Sequence, residues 1–147
     1  MGAIAYAFSE EGAGIDGKSF SLLPVEIFYR ETGKTKKVTE YPCDGKLLKA
    51  AEQVKTKYHT GRGVIGSGDE WNNQLDRIAL LRERYHTAVE DMESAAAAQL
   101  CLSYGVPFLG VRILSNSIVN GEKFDEAVGI DGQKFMLSLI DQMREYM

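Results

Sequence analysis

Residues 86–116, reading HTAVEDMESAAAAQLCLSYGVPFLGVRILSN, constrain the fold more than any other stretch of the chain. HTAVED alternates as a short strand, and Asp91 then stands where a helix N-cap belongs, with Met92 and Glu93 opening the first turn. The run from Met92 to Tyr104 is alanine-rich, so the helix it forms can lie close against a sheet; Gly105, ahead of Val106 and Pro107, ends it. PFLGVRIL, residues 107–114, reads as a second strand. Strand, helix and strand with short connections predict a βαβ unit whose strands run parallel. Glu93 and the pair Ser115 and Asn116 are then expected at one carboxyl edge of one sheet, which is where open α/β sheets bind ligands.

Length fits one domain over residues 1–147, large enough to bury a sizeable core. The net charge of -4 leaves no basic surface to hold a phosphate backbone, so nucleic acid is not expected as a partner. Cys43 and Cys101 lie far apart with no CxxC or histidine spacing, which reads as two free thiols in a reducing, cytoplasmic setting rather than a disulfide or a zinc site. The apolar runs are too short to span a bilayer, and no signal-peptide pattern precedes them.

From the start, MGAIAYAF predicts a strand that begins almost at the first residue, and residues 9–19 predict a Gly-rich polar loop. FSLLPVEIFYRETG is apolar but interrupted by Pro24, which predicts an extended flap or edge segment whose Phe20, Leu22, Leu23, Ile27 and Phe28 need a core or a partner subunit. KTKKV reads as a solvated turn. Leu47, Leu48, Ala51 and Val54 fall on one helical face, with Asp44 as the cap. RGVIGS, residues 62–67, predicts another strand, then a loop from Gly68 to Asn73, then a helix carrying Leu75, Ile78, Ala79 and Leu81. If that strand is parallel to its neighbours, Trp71 joins Glu93 and Asn116 at one edge. A closing helix from about Asp131 would present Phe135, Met136, Leu139, Ile140 and Met143 as an apolar stripe.

The motifs GVIGSGDEWNN, AVEDMESAAAAQLC and VPFLGVRILSN, in this order and spacing, resemble the 5'-methylthioadenosine/S-adenosylhomocysteine nucleosidases of the purine nucleoside phosphorylase superfamily. The resemblance spans residues 62–128 and implies a three-layer α/β/α sandwich of the nucleoside phosphorylase type, here N-terminally truncated. It implies cleavage of a purine nucleoside's N-glycosidic bond without metal or organic cofactor, in a homodimer. By the same resemblance Ser67, Gly68, Asp69, Trp71 and Asn72 belong to the base-binding side, with the Trp71 ring stacking on the purine. Met92 and Glu93 would hold the ribose, the glutamate through its hydroxyls, while Ser115 and Asn116 would meet the imidazole side of the base. The family's water-activating glutamate is expected in a region preceding this chain, and Glu10 and Glu11 have no motif that would make either a replacement.

The chemistry needs these residue types. Glycosidic cleavage passes through a ribosyl cation, which a carboxylate gripping the sugar hydroxyls stabilises. The leaving purine departs more easily when N7 is protonated or strongly hydrogen-bonded, and the nucleosidases resembled carry an aspartic acid where this chain has Asn116. An amide can donate to N7 or O6 but cannot deliver a proton, which resembles superfamily members acting on 6-oxopurines, futalosine hydrolase among them. Two other readings therefore stand beside hydrolysis of methylthioadenosine: a 6-oxopurine hydrolase or phosphorylase, and an inactive nucleoside-binding or storage protein. Without the family pattern, Glu93 is an ordinary first-turn carboxylate; Trp71, flanked by Asp69, Glu70, Asn72 and Asn73, reads as a pocket wall rather than a core plug, and Arg112 as a structural ion-pair partner or exposed edge residue rather than a phosphate ligand. His59 and His86 read as loop or surface residues.

Overall fold

Alternation along β1 (Gly2–Phe8) sets the layers of the sheet. The computed structural model describes residues 2–8 and 20–144, so the Gly-rich loop expected over residues 9–19, with Glu10 and Glu11, lies outside the described residues. Ala3 and Ala5 of β1 share a buried cluster with Tyr41, Ile65, Ala95 and Ala98. Tyr6 points the other way and packs against Leu81, with Leu22, Leu80 and Tyr85 around them. β1 pairs in parallel with β6 (Val64–Ser67), which pairs in parallel with β7 (Thr87–Asp91). It also pairs antiparallel with β2 (Phe20–Leu22) and β5 (Glu40–Pro42). Helix α2 (Leu75–Tyr85), which carries Leu81, covers the Tyr6 face, and α3 (Ser94–Tyr104), which carries Ala95 and Ala98, covers the alanine face. That is the expected α/β/α layering of the phosphorylase type.

These elements make one compact unit, Met1–Cys43 with Arg62–Gly110. Its βαβ unit is β6–α2–β7, not the one expected from residues 86–114: the PFLGVRIL segment forms no strand. Apolar character alone does not make a strand, because the backbone needs a neighbouring ladder, and β7 pairs only with β6 among the described residues. Phe108 instead packs against the alanine-face cluster, and Gly110 lies against Ile65. Helix α3 starts two residues later than expected. Asp91 remains the last residue of β7 and Glu93 takes the N-cap position, yet the Asp91 carboxylate still accepts the Ser94 N–H at 3.2 Å. The α3 C-terminus follows the sequence. Gly105 adopts φ +67°, and a Cβ there would run into the Glu31 carboxylate.

KTKKV is a strand rather than a turn. β4 (Lys34–Val38) pairs antiparallel with β3 (Val25–Tyr29) in a two-stranded ribbon, and the turn lies one step earlier, where the Gly33 N–H donates to the Tyr29 carbonyl at 2.8 Å. Exposed lysines suit a strand whose outer edge meets water, since charge there discourages pairing with another chain. Pro24 separates β2 from β3, as expected of an interrupted segment. The ribbon is tied to α3: the Arg30 N–H donates to the Ser103 carbonyl and the Ser103 hydroxyl donates to the Phe28 carbonyl at 2.6 Å.

The second unit comprises Asp44–Gly61 and Val111–Met147. Helix α1 (Gly45–Gln53) is capped by Asp44, whose carboxylate accepts the Lys46 and Leu47 N–H groups at 2.8 and 3.0 Å. It packs against α4 (Ala127–Met143), which begins four residues before the expected Asp131. Of the expected apolar stripe Leu139 is buried, Phe135 and Met143 are half-buried, and Met136 and Ile140 are exposed. Asp131 accepts the Tyr58 hydroxyl and pairs with Lys57 at 3.1 Å, tying α4 to the segment after α1.

Candidate functional site

Because β6 and β7 run parallel, the residues following each emerge at the same carboxyl edge of the sheet. After β6 come Gly68 to Asn73; after β7 come Met92 and Glu93. The last two residues of β7 are consecutive carboxylates, and strand alternation sends them to opposite faces.

On the α3 face, Asp91 gathers the edge. Its carboxylate accepts the Ser67 hydroxyl at 2.5 Å and the Ser94 hydroxyl at 2.6 Å, while the Ser67 oxygen accepts the Ala95 N–H at 3.0 Å. The Gly68 N–H donates to the Asp91 carbonyl at 3.1 Å. The end of β6 is thus stapled to the first turn of α3, and Met92 and Glu93 are left between the staple points as an exposed step. The Glu93 carboxylate accepts the Met92 N–H at 3.2 Å and makes no side-chain cap bond to α3. A carboxylate held beside a helix N-terminus, and not used as the cap, is available to receive hydroxyl donors. Ser67 is buried at 5% exposure, so its hydroxyl shapes the edge rather than facing water.

On the α2 face, Glu90 does the gathering. Its Oε2 accepts the Tyr6 hydroxyl at 2.7 Å and the Asn72 amide at 2.9 Å. Burial, then the hydrogen bond to Glu90 and the negative charge of Glu90 and Glu70, pushes the Tyr6 hydroxyl far above its ordinary range, so it stays protonated and donates. Between Gly68 and Asn72, the side chains of Asp69, Glu70 and Trp71 are exposed, the tryptophan at 69%. Trp71 is therefore not a core plug. Glu70 is held back by Arg77 at 2.9 Å.

Ser115 and Asn116 belong to the second unit, where both are half-buried. The Ser115 hydroxyl donates to Asn116 Oδ1 at 3.0 Å, and the Ser115 carbonyl accepts the Asp125 N–H at 3.1 Å across the turn between them. With Oδ1 engaged by a donor, the amide presents Nδ2 as its donor. Arg112 is exposed and its guanidinium donates to the Val111 carbonyl at 2.8 Å. Among the described residues, no three His, Cys, Asp or Glu side chains gather closely enough to hold a metal ion.

Ser67, Asn72 and, as a cap, Asp91 were named from the sequence together with the exposed residues of the edge, whereas Tyr6 and Glu90 were not. Adjacent carboxylates at a strand end, Glu90 and Asp91, were the available signal; nothing in the sequence marks Tyr6.

The sheet, its two helical layers and the motifs at its carboxyl edge are those of a nucleoside phosphorylase-type protein. The chain belongs to the phosphorylase superfamily, whose family model matches residues 10–143. It is 35% identical over 129 residues to the 5'-methylthioadenosine/S-adenosylhomocysteine nucleosidase of Bacillus pumilus (strain SAFR-032), an alignment covering 80% of this chain and 55% of that protein. The nucleosidase of the same name from Aeromonas salmonicida (strain A449) is 32% identical, covering 80% of this chain and 54% of that protein. That from Geobacillus kaustophilus (strain HTA426) is 30% identical, covering 71% and 48%. The chain thus spans about half the length of the curated relatives it matches.

Proposed function

We propose that this chain serves hydrolysis of the N-glycosidic bond of a purine nucleoside, releasing the free base and a ribose derivative, as the names of its relatives describe for methylthioadenosine and adenosylhomocysteine. The observation that carries the reading is the edge itself: an exposed aromatic loop after β6 and an uncapped, exposed carboxylate after the parallel β7. Trp71 offers a face on which a purine stacks. Glu93 accepts the ribose hydroxyls and stabilises positive charge as the glycosidic bond lengthens. For Asn116, which lies in the second unit, the role comes from the family resemblance alone: with its Oδ1 engaged by Ser115, the amide can donate from Nδ2 to a departing purine at N7 or O6.

That last bond favours a second reading, a 6-oxopurine nucleoside as substrate, because an amide donor suits two adjacent acceptors and supplies no proton. A homodimer and a cytoplasmic location complete the proposal, the latter supported by Cys43 and Cys101, which are free thiols. Among the described residues no helix is long and apolar enough to cross a membrane. The deciding experiment measures adenine and hypoxanthine release from methylthioadenosine, inosine and futalosine, with and without phosphate. In a form that carries the family's water-activating glutamate, phosphate-independent adenine release is the expected result; hypoxanthine-type selectivity moves the reading to 6-oxopurines, and phosphate dependence replaces hydrolysis by phosphorolysis. Bases that bind in calorimetry without any release would make the chain a nucleoside-binding protein instead.

A further inference from the structure

The loop that carries Trp71 is fastened at both ends to one pair, the buried Tyr6 and the half-buried Glu90. At its start Gly68 packs against the Tyr6 ring, so close that an added Cβ would sit 2.7 Å from the ring's Cζ. At its end the Asn72 amide donates to Glu90 Oε2 at 2.9 Å, the same oxygen that receives the Tyr6 hydroxyl at 2.7 Å. Asn72 Oδ1 accepts the Gln74 N–H at 3.3 Å, so both polar atoms of that amide are engaged within the protein. Tyr6 itself is 2% exposed and fixed on β1, in the middle of the sheet. The intervening Asp69, Glu70 and Trp71 project as an exposed tip between two fixed points.

We propose that Glu90 is a positioning residue for base recognition, which through Asn72 and Tyr6 moors this loop and holds Trp71 at the sheet edge for stacking. Asn72 then acts as the loop's tether and not as a reader of the base edge. The inference rests on the purine-binding reading above. An exposed indole on a loose loop must be ordered when a ligand stacks on it, and that ordering subtracts from affinity; a moored loop has made the loss in advance. The Glu90 carboxylate needs no contact with the ligand to have this effect.

The test uses the whole 147-residue chain, in which Trp71 is the sole tryptophan and therefore reports on the loop directly. Glu90→Ala, Asn72→Ala and the double variant are compared by time-resolved tryptophan anisotropy and by adenine and hypoxanthine titration. Each single variant should increase fast local motion of Trp71 and weaken base binding about tenfold, the equivalent of one lost hydrogen bond to a charged group. The double variant should be no worse than either single, because both cut the same tether. Glu90→Gln keeps an acceptor oxygen and should recover most of the loss. Unchanged Trp71 motion in Asn72→Ala, or losses that add in the double variant, would overturn the proposal. Should Glu90→Ala fail to fold, Asn72→Ala decides alone, since it leaves the Tyr6 to Glu90 bond in place. A wild type that binds neither base would defeat the purine reading, while the anisotropy comparison would still decide whether Glu90 holds the loop.

Discussion

Glu93 shows how little of a residue's role lies in the residue. As a first-turn carboxylate it is unremarkable, but the structure gives the work of fastening α3 to Asp91 and leaves Glu93 exposed at the N-cap without a cap bond. Replacing it should therefore spare the fold. Glu93→Gln is expected to leave the melting temperature nearly unchanged and to weaken nucleoside binding by about 1–3 kcal/mol, the range for one charge-assisted hydrogen bond. Calorimetric titration against wild type checks this, and equal affinities would remove Glu93 from the ribose site. Trp71, Met92 and Glu93 were singled out by the family resemblance, and the structure adds that all three are exposed beside a strand end. Tyr6, Glu90 and the Ser67 to Asp91 bond were not legible in the sequence, because a supporting contact joins residues as far apart as 84 positions and only the fold brings them together.

At the scale of elements, short-range signals survived and long-range ones did not. Asp44 and Gly105 mark helix ends by local backbone chemistry, and both stand where the sequence put them. β4 was hidden by its lysines, since pairing with β3 and not side-chain burial makes it a strand; the apolar segment at residues 107–114 erred in the opposite direction. In the second unit the tie between Asp131, Tyr58 and Lys57 is long-range, joining Tyr58 to a residue 73 positions away. The Tyr58 hydroxyl first, and then Lys57, lower the Asp131 carboxyl from 3.8 to about 2. Because the folded-state value lies below the ordinary one, the stabilisation is complete above 3.8 and is lost as pH falls toward about 2. The group is solvent-screened, so the effect is small and best read as a slope. Denaturation midpoints of wild type should fall more steeply through that window than those of Asp131→Asn, and parallel curves would show that the tie contributes nothing to stability.

For the whole molecule, the question is what the exposed apolar residues do. Single exposed leucines are normal on any protein, but here large apolar side chains recur along elements. On α4, Ile130 and Leu137 are seven residues apart, and Met136 and Ile140 four apart; both spacings keep a pair on one helical face, and all four side chains are exposed. In the other unit Phe28, on the β3–β4 ribbon, and Leu100 and Tyr104, on α3, are exposed as well. Elements that present such faces to water are stabilised when a second apolar surface covers them, and a second copy of the same chain is the partner always present at matching concentration. These exposed faces support the proposed homodimer. Sedimentation at micromolar concentration should give twice the monomer mass, and Leu137→Glu or Phe28→Glu should shift the equilibrium toward monomer if the respective face takes part, since a charge buried at an interface without a partner is strongly disfavoured. The two variants separate the possible faces: the one whose substitution leaves the dimer intact is not the interface. A wild-type chain that sediments as a monomer at that concentration would end the dimer proposal, while leaving the edge formed by β6 and β7, which lies within one chain, as the candidate site.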